Sequence, residues 1–199
     1  MQSSRKICSY IQAGGASKRF GSDKAEAMLE GEPMLKRMAG LVARVCGSVK
    51  IVGSGERYGS FGFPVVEDGW PGEGPLGGIL TALRETQRES KEATTWSLIV
   101  SCDMPFLTHE WLDFLSEHAL KSDAQVVAAE AGKRLEPLCA CWRSDGMSQV
   151  QEAFDSGVRR VSEGMRRLRM EVLDESVWKR FDTEGRLFWN MNTPEDYAE

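Results

Sequence analysis

The run Cys8-Ser9-Tyr10-Ile11 leads through Gln12-Ala13 into the glycine pair Gly14-Gly15, and the loop that follows carries two separated cations, Arg19 and Lys24. A short β-prone run bounded by glycine predicts the first strand of an open α/β sheet, with the loop leaving its carboxyl end, where such sheets bind ligands. Glycines lack Cβ atoms, so their backbone N–H groups can approach an anion closely. A guanidinium suits forked contact with phosphate, whereas an ammonium is a movable point charge. Arg19 and Lys24 therefore suit different oxygens of one nucleoside triphosphate. The loop has neither the GxxxxGK[ST] nor the GxGxxG spacing, which argues against a P-loop NTPase and against a dinucleotide-binding domain.

Strand and helix patterns alternate after the loop. Residues 33–47 read as a helix with proline at its start and glycine at its end, residues 49–52 as a strand, 53–62 as a loop, and 63–66 as a third strand. A second glycine-rich crossing, Gly72-Glu73-Gly74-Pro75-Leu76-Gly77-Gly78, runs into the next helix. Residues 96–100 form a nearly continuous apolar run suited to the buried middle of a parallel sheet, and 109–120 a further helix. The expected fold is a three-layer α/β/α Rossmann-like arrangement with a mostly parallel central sheet. The later third predicts strands at 125–129 and 138–142, a helix over 144–156, a basic segment 158–169, short strands at 170–173 and 186–189, and a final helix from Thr193. One domain spans residues 1–199, with a nucleotide-binding part at about 7–120 and an acceptor part at about 121–199.

With 199 residues, 41% hydrophobic and 28% charged, the chain can bury one core. Its net charge of −5 opposes general nucleic-acid binding. The apolar run after Arg5 and Lys6 is too short for a signal peptide or a membrane span, so a cytoplasmic location is expected. The five cysteines form no CxxC pair and read as reduced core thiols, and His109 and His118 are too few to build a zinc site with them.

Two carboxylates stand where strands end, Asp68 and Asp103. A carboxylate among triphosphate oxygens is repulsive unless a divalent cation intervenes, so Asp103 is the candidate ligand for Mg²⁺, with Mn²⁺ as a substitute. The competing reading of either residue is an aspartate closing a turn. Near the end, alternation places Asn190 and Asn192 on one side of an extended segment, where their amides suit phosphate oxygens or metal-bound water. Arg159 and Arg160, with Arg166, Arg167 and Arg169, either attract an anionic substrate or form a solvated face.

The string QAGGASKRFGSDKA resembles the signature of molybdenum cofactor guanylyltransferases, the molybdopterin-guanine dinucleotide biosynthesis protein A family, which are relatives of the sugar-nucleotide pyrophosphorylases. The resemblance continues through Glu136-Pro137-Leu138, Gly157-Val158-Arg159-Arg160-Val161 and the Asn190-Met191-Asn192-Thr193-Pro194 ending. Two departures stand out: Gly53-Ser54-Gly55 replaces a stretch where the family often has asparagine, and Phe20-Gly21-Ser22-Asp23 lacks a second glycine that many members have. The resemblance implies Mg²⁺-dependent transfer of GMP from GTP to the terminal phosphate of molybdopterin, with release of pyrophosphate. It also implies contacts with cofactor-biosynthesis proteins and recipient apo-molybdoenzymes, with no nucleic acid or membrane as partner. Arg19, Lys24 and Asp103 are the implied catalytic set. Gln12, Ala13, Gly14, Gly15, Lys24, Asp68, Gly77 and Asp103 are the implied GTP contacts, and Asn190, Asn192, Arg159 and Arg160 serve the acceptor. Cytidylyl transfer to the same pterin, a sugar-phosphate nucleotidyltransferase and a nucleotide-binding regulator remain as alternatives.

Overall fold

The computed structural model of the chain describes residues 7–14, 23–90, 92 and 94–191. Strand β1 (Ile7–Gln12) is followed by a single 3-10 turn, Lys24–Glu26, and a small hairpin of β2 (Met28–Leu29) and β3 (Glu32–Pro33). Then come α1 (Met34–Cys46), β4 (Lys50–Gly53), α2 (Gly55–Tyr58), β5 (Val65–Glu67), α3 (Pro75–Glu89) and β6 (Trp96–Ser101). The later elements are α4 (His109–Ala119), β7 (Val126–Ala131), β8 (Arg134–Arg143), α5 (Met147–Asp155), α6 (Val161–Met165), β9 (Met170–Leu173) and α7 (Glu175–Trp178).

Seven strands form one sheet in the order β5-β4-β1-β6-β8-β7-β9. Only β8 runs against its neighbours; it pairs antiparallel with both β6 and β7, and β9 then pairs parallel with β7. Alternate side chains of the central strands enter two cores. Ile7, Ile11, Leu98 and Val100 pack on one face with α1 and α4, while Tyr10 and Ile99 pack on the other with α3 and α5. Burial on both faces explains why residues 96–101 read as an unbroken apolar run rather than an alternating one.

The expected mostly parallel three-layer fold is what the chain adopts. Two local expectations need correction. Residues 53–62, expected to be a loop, contain α2 and a 3-10 turn, because Tyr58 supplies a buried anchor for a short helix. Residues 186–189 are a turn closed by the Trp189 N–H donating to the Arg186 carbonyl (2.8 Å), not a strand. Their aromatic side chains engage other rings instead of a sheet face: Trp189 stacks on Phe106 at 5.6 Å, and Phe188 meets Trp111 and Trp178 edge-on. The β2–β3 hairpin had no expectation. Its turn puts Glu30 at φ 51° and Gly31 at φ 83°, and a glutamate in the left-handed region gives no turn signal in sequence. The helix expected from Thr193 lies outside the described residues.

The cysteines stand as thiols: Cys8, Cys46, Cys102, Cys139 and Cys141 form no disulfide. Burial pushes Cys139 up to about 12 and Cys141 well above its usual value, which makes both inert core groups.

Candidate active site at the strand ends

The carboxyl ends of β1, β4 and β6 are laced together by backbone. The Ala13 N–H donates to the Val52 carbonyl (2.9 Å), the Cys102 N–H to the Gln12 carbonyl (3.2 Å), and the Asp68 N–H to the Gly53 carbonyl (3.2 Å). The start of the glycine loop, the end of β6 and the turn after β5 thus occupy one rim. Gly14 has φ 103°, a conformation that glycine adopts without strain.

Lys24 and Asp103, 79 residues apart, meet there. The Lys24 Nζ lies 3.2 Å from Asp103 Oδ2, and each side chain is 18% exposed, so the pair is sheltered yet open to a ligand. The other carboxylate oxygen accepts a hydrogen bond from the Ser101 hydroxyl at 2.6 Å. The Asp103 carbonyl accepts from the Met191 N–H at 2.9 Å, which brings Asn190 and its turn against the end of β6.

Asp23 sets the lysine in place. Its Oδ1 accepts from the Ala25 N–H (3.1 Å), capping the 3-10 turn that begins at Lys24, and its Oδ2 accepts from the Tyr58 hydroxyl (2.6 Å) and pairs with Arg57 (2.6 Å). The Tyr58 phenol is held protonated by burial and the facing carboxylate, so it remains a donor. Tyr58 fits because Gly53 has no side chain: a Cβ there would lie 2.7 Å from the ring and 2.8 Å from the Ala13 carbonyl oxygen. Asp23, Tyr58, Ser101 and Gly53 were absent from the expected site. A serine two residues before the aspartate and an aspartate beside the lysine were visible in sequence; Tyr58, on the other side of β4, gave no local signal.

The second glycine-rich crossing packs on Gln12. The Gln12 Nε2 donates to the Pro75 carbonyl (3.0 Å), while its buried Oε1 has no hydrogen-bond partner among the described residues. A Cβ on Gly78 would stand 2.2 Å from Nε2, so this helix start must be glycine for Gln12 to lie beneath it. Gly77 packs against Trp70, and the Thr81 hydroxyl lies within 3.1 Å of both Asp68 Oδ1 and the Gly77 carbonyl, its one proton serving either. Asp68 also accepts from the Trp70 N–H (3.0 Å), the turn geometry of the competing reading.

A cleft of about 920 Å³ opens beside this rim, lined by Met104, Trp189 and Asn190 near Asp103 and by β8 and Arg160 farther out. Arg159 does not line it: it pairs with Glu73 (2.7 Å), donates to the Phe154 carbonyl (2.7 Å) and covers the Phe154 ring. Gly15, Arg19 and Asn192 lie outside the described residues. Among the described residues no three His, Cys, Asp or Glu side chains converge as a metal cage. A single carboxylate, Asp103, at the end of β6 fits Mg²⁺, which binds through one or two carboxylates, water and substrate phosphates rather than through an all-protein shell.

Residues 9–171 match the family model described as the MobA-like NTP transferase domain. A molybdenum cofactor guanylyltransferase described as probable, from Pelotomaculum thermopropionicum, is 32% identical over 95% of this chain and 89% of its own length. A second, from Chloroflexus aggregans, is 29% identical over 94% of this chain and 89% of its own. The crystal structure of molybdopterin-guanine dinucleotide biosynthesis protein A from Archaeoglobus fulgidus superposes with a TM-score of 0.81 at 22% identity, covering 96% of this chain and 94% of that one. With its fold, its strand-end lysine and aspartate, and these matches in agreement, the chain belongs to the MobA-like NTP transferase family, among the molybdenum cofactor guanylyltransferases.

Proposed function

We propose that this chain transfers GMP from GTP to the terminal phosphate of molybdopterin, forming the guanine dinucleotide cofactor and pyrophosphate. The observation that carries this is the Lys24–Asp103 pair, set at the strand ends beside the start of the glycine loop and next to a cleft whose lining includes Met104, Asn190 and several cations. The relatives' names support the choice of guanylyl transfer over other chemistry of the same fold.

A phosphate monoester is already largely dianionic near neutral pH, since its second pKa is about 6. The nucleophile therefore needs no strong base, and His109 and His118 have no part to play. The obstacle is to bring one anion to another in line with a departing pyrophosphate, which calls for positioning and charge compensation. Backbone N–H groups after Gly14 would cradle the phosphates. Lys24, held by the Asp23 cap, offsets charge on the leaving oxygens, and Arg19 adds a second cation to the same loop. Asp103 is the residue that would hold Mg²⁺, with Ser101 fixing the carboxylate and Mn²⁺ as a substitute. When bound, the cation neutralises phosphate charge and orients the oxygens. Gln12 Oε1, buried and unpartnered among the described residues, gains a hydrogen-bond donor from the nucleotide at the α3 crossing, where Asp68 and Gly77 border the base. Asn190 and Arg160, which line the cleft, face the acceptor, and the motif assigns Asn192 the same role.

The polypeptide has no described helix long and apolar enough to cross a membrane. A cytoplasmic site of action follows from the substrates proposed, and transfer of the product implies transient contact with other cofactor-biosynthesis proteins and with apo-molybdoenzymes. The test is a pyrophosphate-release assay. One equivalent released per acceptor consumed, and none when GTP, Mg²⁺ or molybdopterin is left out, supports transfer. Tight GTP binding without release would instead favour a nucleotide-binding regulator.

A further inference from the structure

Glu136 lines the cleft among Lys133, Arg134, Arg160 and Arg166, with Glu130 as the other acid. It is half-buried, and it has neither a hydrogen bond nor an ion pair among the described residues. In a cleft that receives an anion, a carboxylate is repulsive unless it faces a part of the ligand that donates hydrogen bonds. The cations beside it have long, flexible side chains, yet none closes on it.

The backbone explains how it comes to face the cleft. The pairing of β7 with β8 shifts between Ala128↔Ala140 and Glu130↔Leu135, so residues 136–139 of β8 lie opposite the single residue 129 of β7. A bulge of this kind bends the strand and redirects a side chain, and Pro137, with no N–H to give a ladder, sits inside it. Burial pushes the Glu136 carboxyl up to about 7, opposed by Arg134, so it is poised to lose its proton to solvent when a donor arrives. Trp189, which also lines the cleft, stacks on Phe106 and offers an aromatic surface for a flat ring.

We propose that Glu136 is a specificity-determining residue that recognises the heterocycle of the acceptor by accepting two hydrogen bonds from adjacent ring N–H and exocyclic amine donors, while the cations take its anionic part. This rests on the acceptor reading above. A pterin presents such a donor pair on one edge of its pyrimidine ring, the mirror of the fork by which arginine grips a carboxylate. The matching lumazine, with oxygen in place of the amine, keeps the ring and the phosphate tail but loses one donor and meets the carboxylate with an acceptor.

The experiment is a fluorescence titration of the full chain with an oxidised 6-substituted pterin carrying a terminal phosphate, and with the corresponding lumazine phosphate. The unsubstituted protein is expected to bind the pterin at least about tenfold tighter. Glu136→Gln, with GTP binding unchanged, is expected to reduce that preference to within about threefold. In the unsubstituted protein the preference should also shrink as pH falls from about 7.5 to about 5.5 and Glu136 takes up a proton, which keeps the test independent of how the variant folds. Full preference retained in Glu136→Gln, or equal binding of both ligands by the unsubstituted protein, overturns the assignment and leaves the acceptor reading standing. Binding of neither ligand overturns the acceptor reading itself, and this assignment with it.

Discussion

The rim at the ends of β1, β4 and β6 and the cleft walled by β8 treat their polar groups in opposite ways. At the rim, Asp103 is engaged by Lys24 and Ser101, and Asp23 by Ala25, Tyr58 and Arg57. In the cleft, Arg160 is 83% exposed and, among the described residues, pairs with Glu163 at 3.7 Å, while Glu136 makes neither a hydrogen bond nor an ion pair with any described residue. A triphosphate site of the kind proposed for the rim gains from rigid preorganisation, where each aligned charge costs no reorganisation during transfer. An acceptor that must enter, be recognised and leave gains from groups that wait for it.

Substitutions at the two regions should separate that contrast, beginning with the largest effect. Lys24→Ala and Asp103→Ala are each expected to lower kcat about a hundredfold, or ~3 kcal/mol of transition-state stabilisation, with the acceptor KM unchanged. Because the two touch, the double variant should lose less than the sum of the single losses; strict additivity in steady-state kinetics would mean that they act apart.

Gly53→Ala should destabilise the fold by about 1–3 kcal/mol, since its Cβ would press on both a ring and a fixed carbonyl. Urea unfolding reads this, and a midpoint equal to that of the unsubstituted chain would show that α2 yields freely. Tyr58→Phe removes one hydrogen bond to Asp23 and leaves the ring. A loss of about 1 kcal/mol in stability is expected, with kcat/KM for GTP falling about three- to tenfold as Lys24 loosens. If activity is unaffected, the tyrosine serves the fold alone.

Arg160→Ala tests the other region. Its expected effect is a rise of about two- to fivefold in acceptor KM, erased at about 0.5 M salt because the side chain is exposed, with GTP kinetics untouched. The smallest effect concerns pH. Glu136 has a folded pKa of about 7, above its unfolded value, so folding favours its protonated form. Its contribution to stability is fully present below pH ~4.5 and is lost as pH rises toward and through 7. Glu136→Gln should therefore raise the melting temperature slightly at pH 8 and leave it unchanged at pH 4.5; the reverse order would refute the assigned burial.

The rim was the more legible region because its residues are local to strand ends. Lys24 follows a glycine loop, Asp103 ends an apolar run, and parallel strands bring such ends together by topology alone. What supports them was harder to read, since Tyr58 reaches Asp23 across 35 residues and only the absence of a Cβ at Gly53 admits it. The cleft is assembled from β8, α6 and the turn at 186–190, segments whose meeting depends on β8 running antiparallel and on a bulge that no residue pattern announces. Arg159 and Arg160 are adjacent in sequence and part company in space, one pinned to Glu73 and the other facing the cleft. The same adjacency misled the reading of 186–189, where apolar side chains serve ring stacking rather than a strand.

The central claim is that the rim passes a guanylyl group to a phosphate held in the cleft. Its most direct test is mass analysis of the product after incubation with equimolar ATP, CTP, GTP and UTP, Mg²⁺ and molybdopterin. The expected result is the guanine dinucleotide alone, formed by the unsubstituted chain and nearly absent with Lys24→Ala. A cytosine dinucleotide as the sole product would contradict the guanylyl assignment, and the absence of any dinucleotide would contradict transfer.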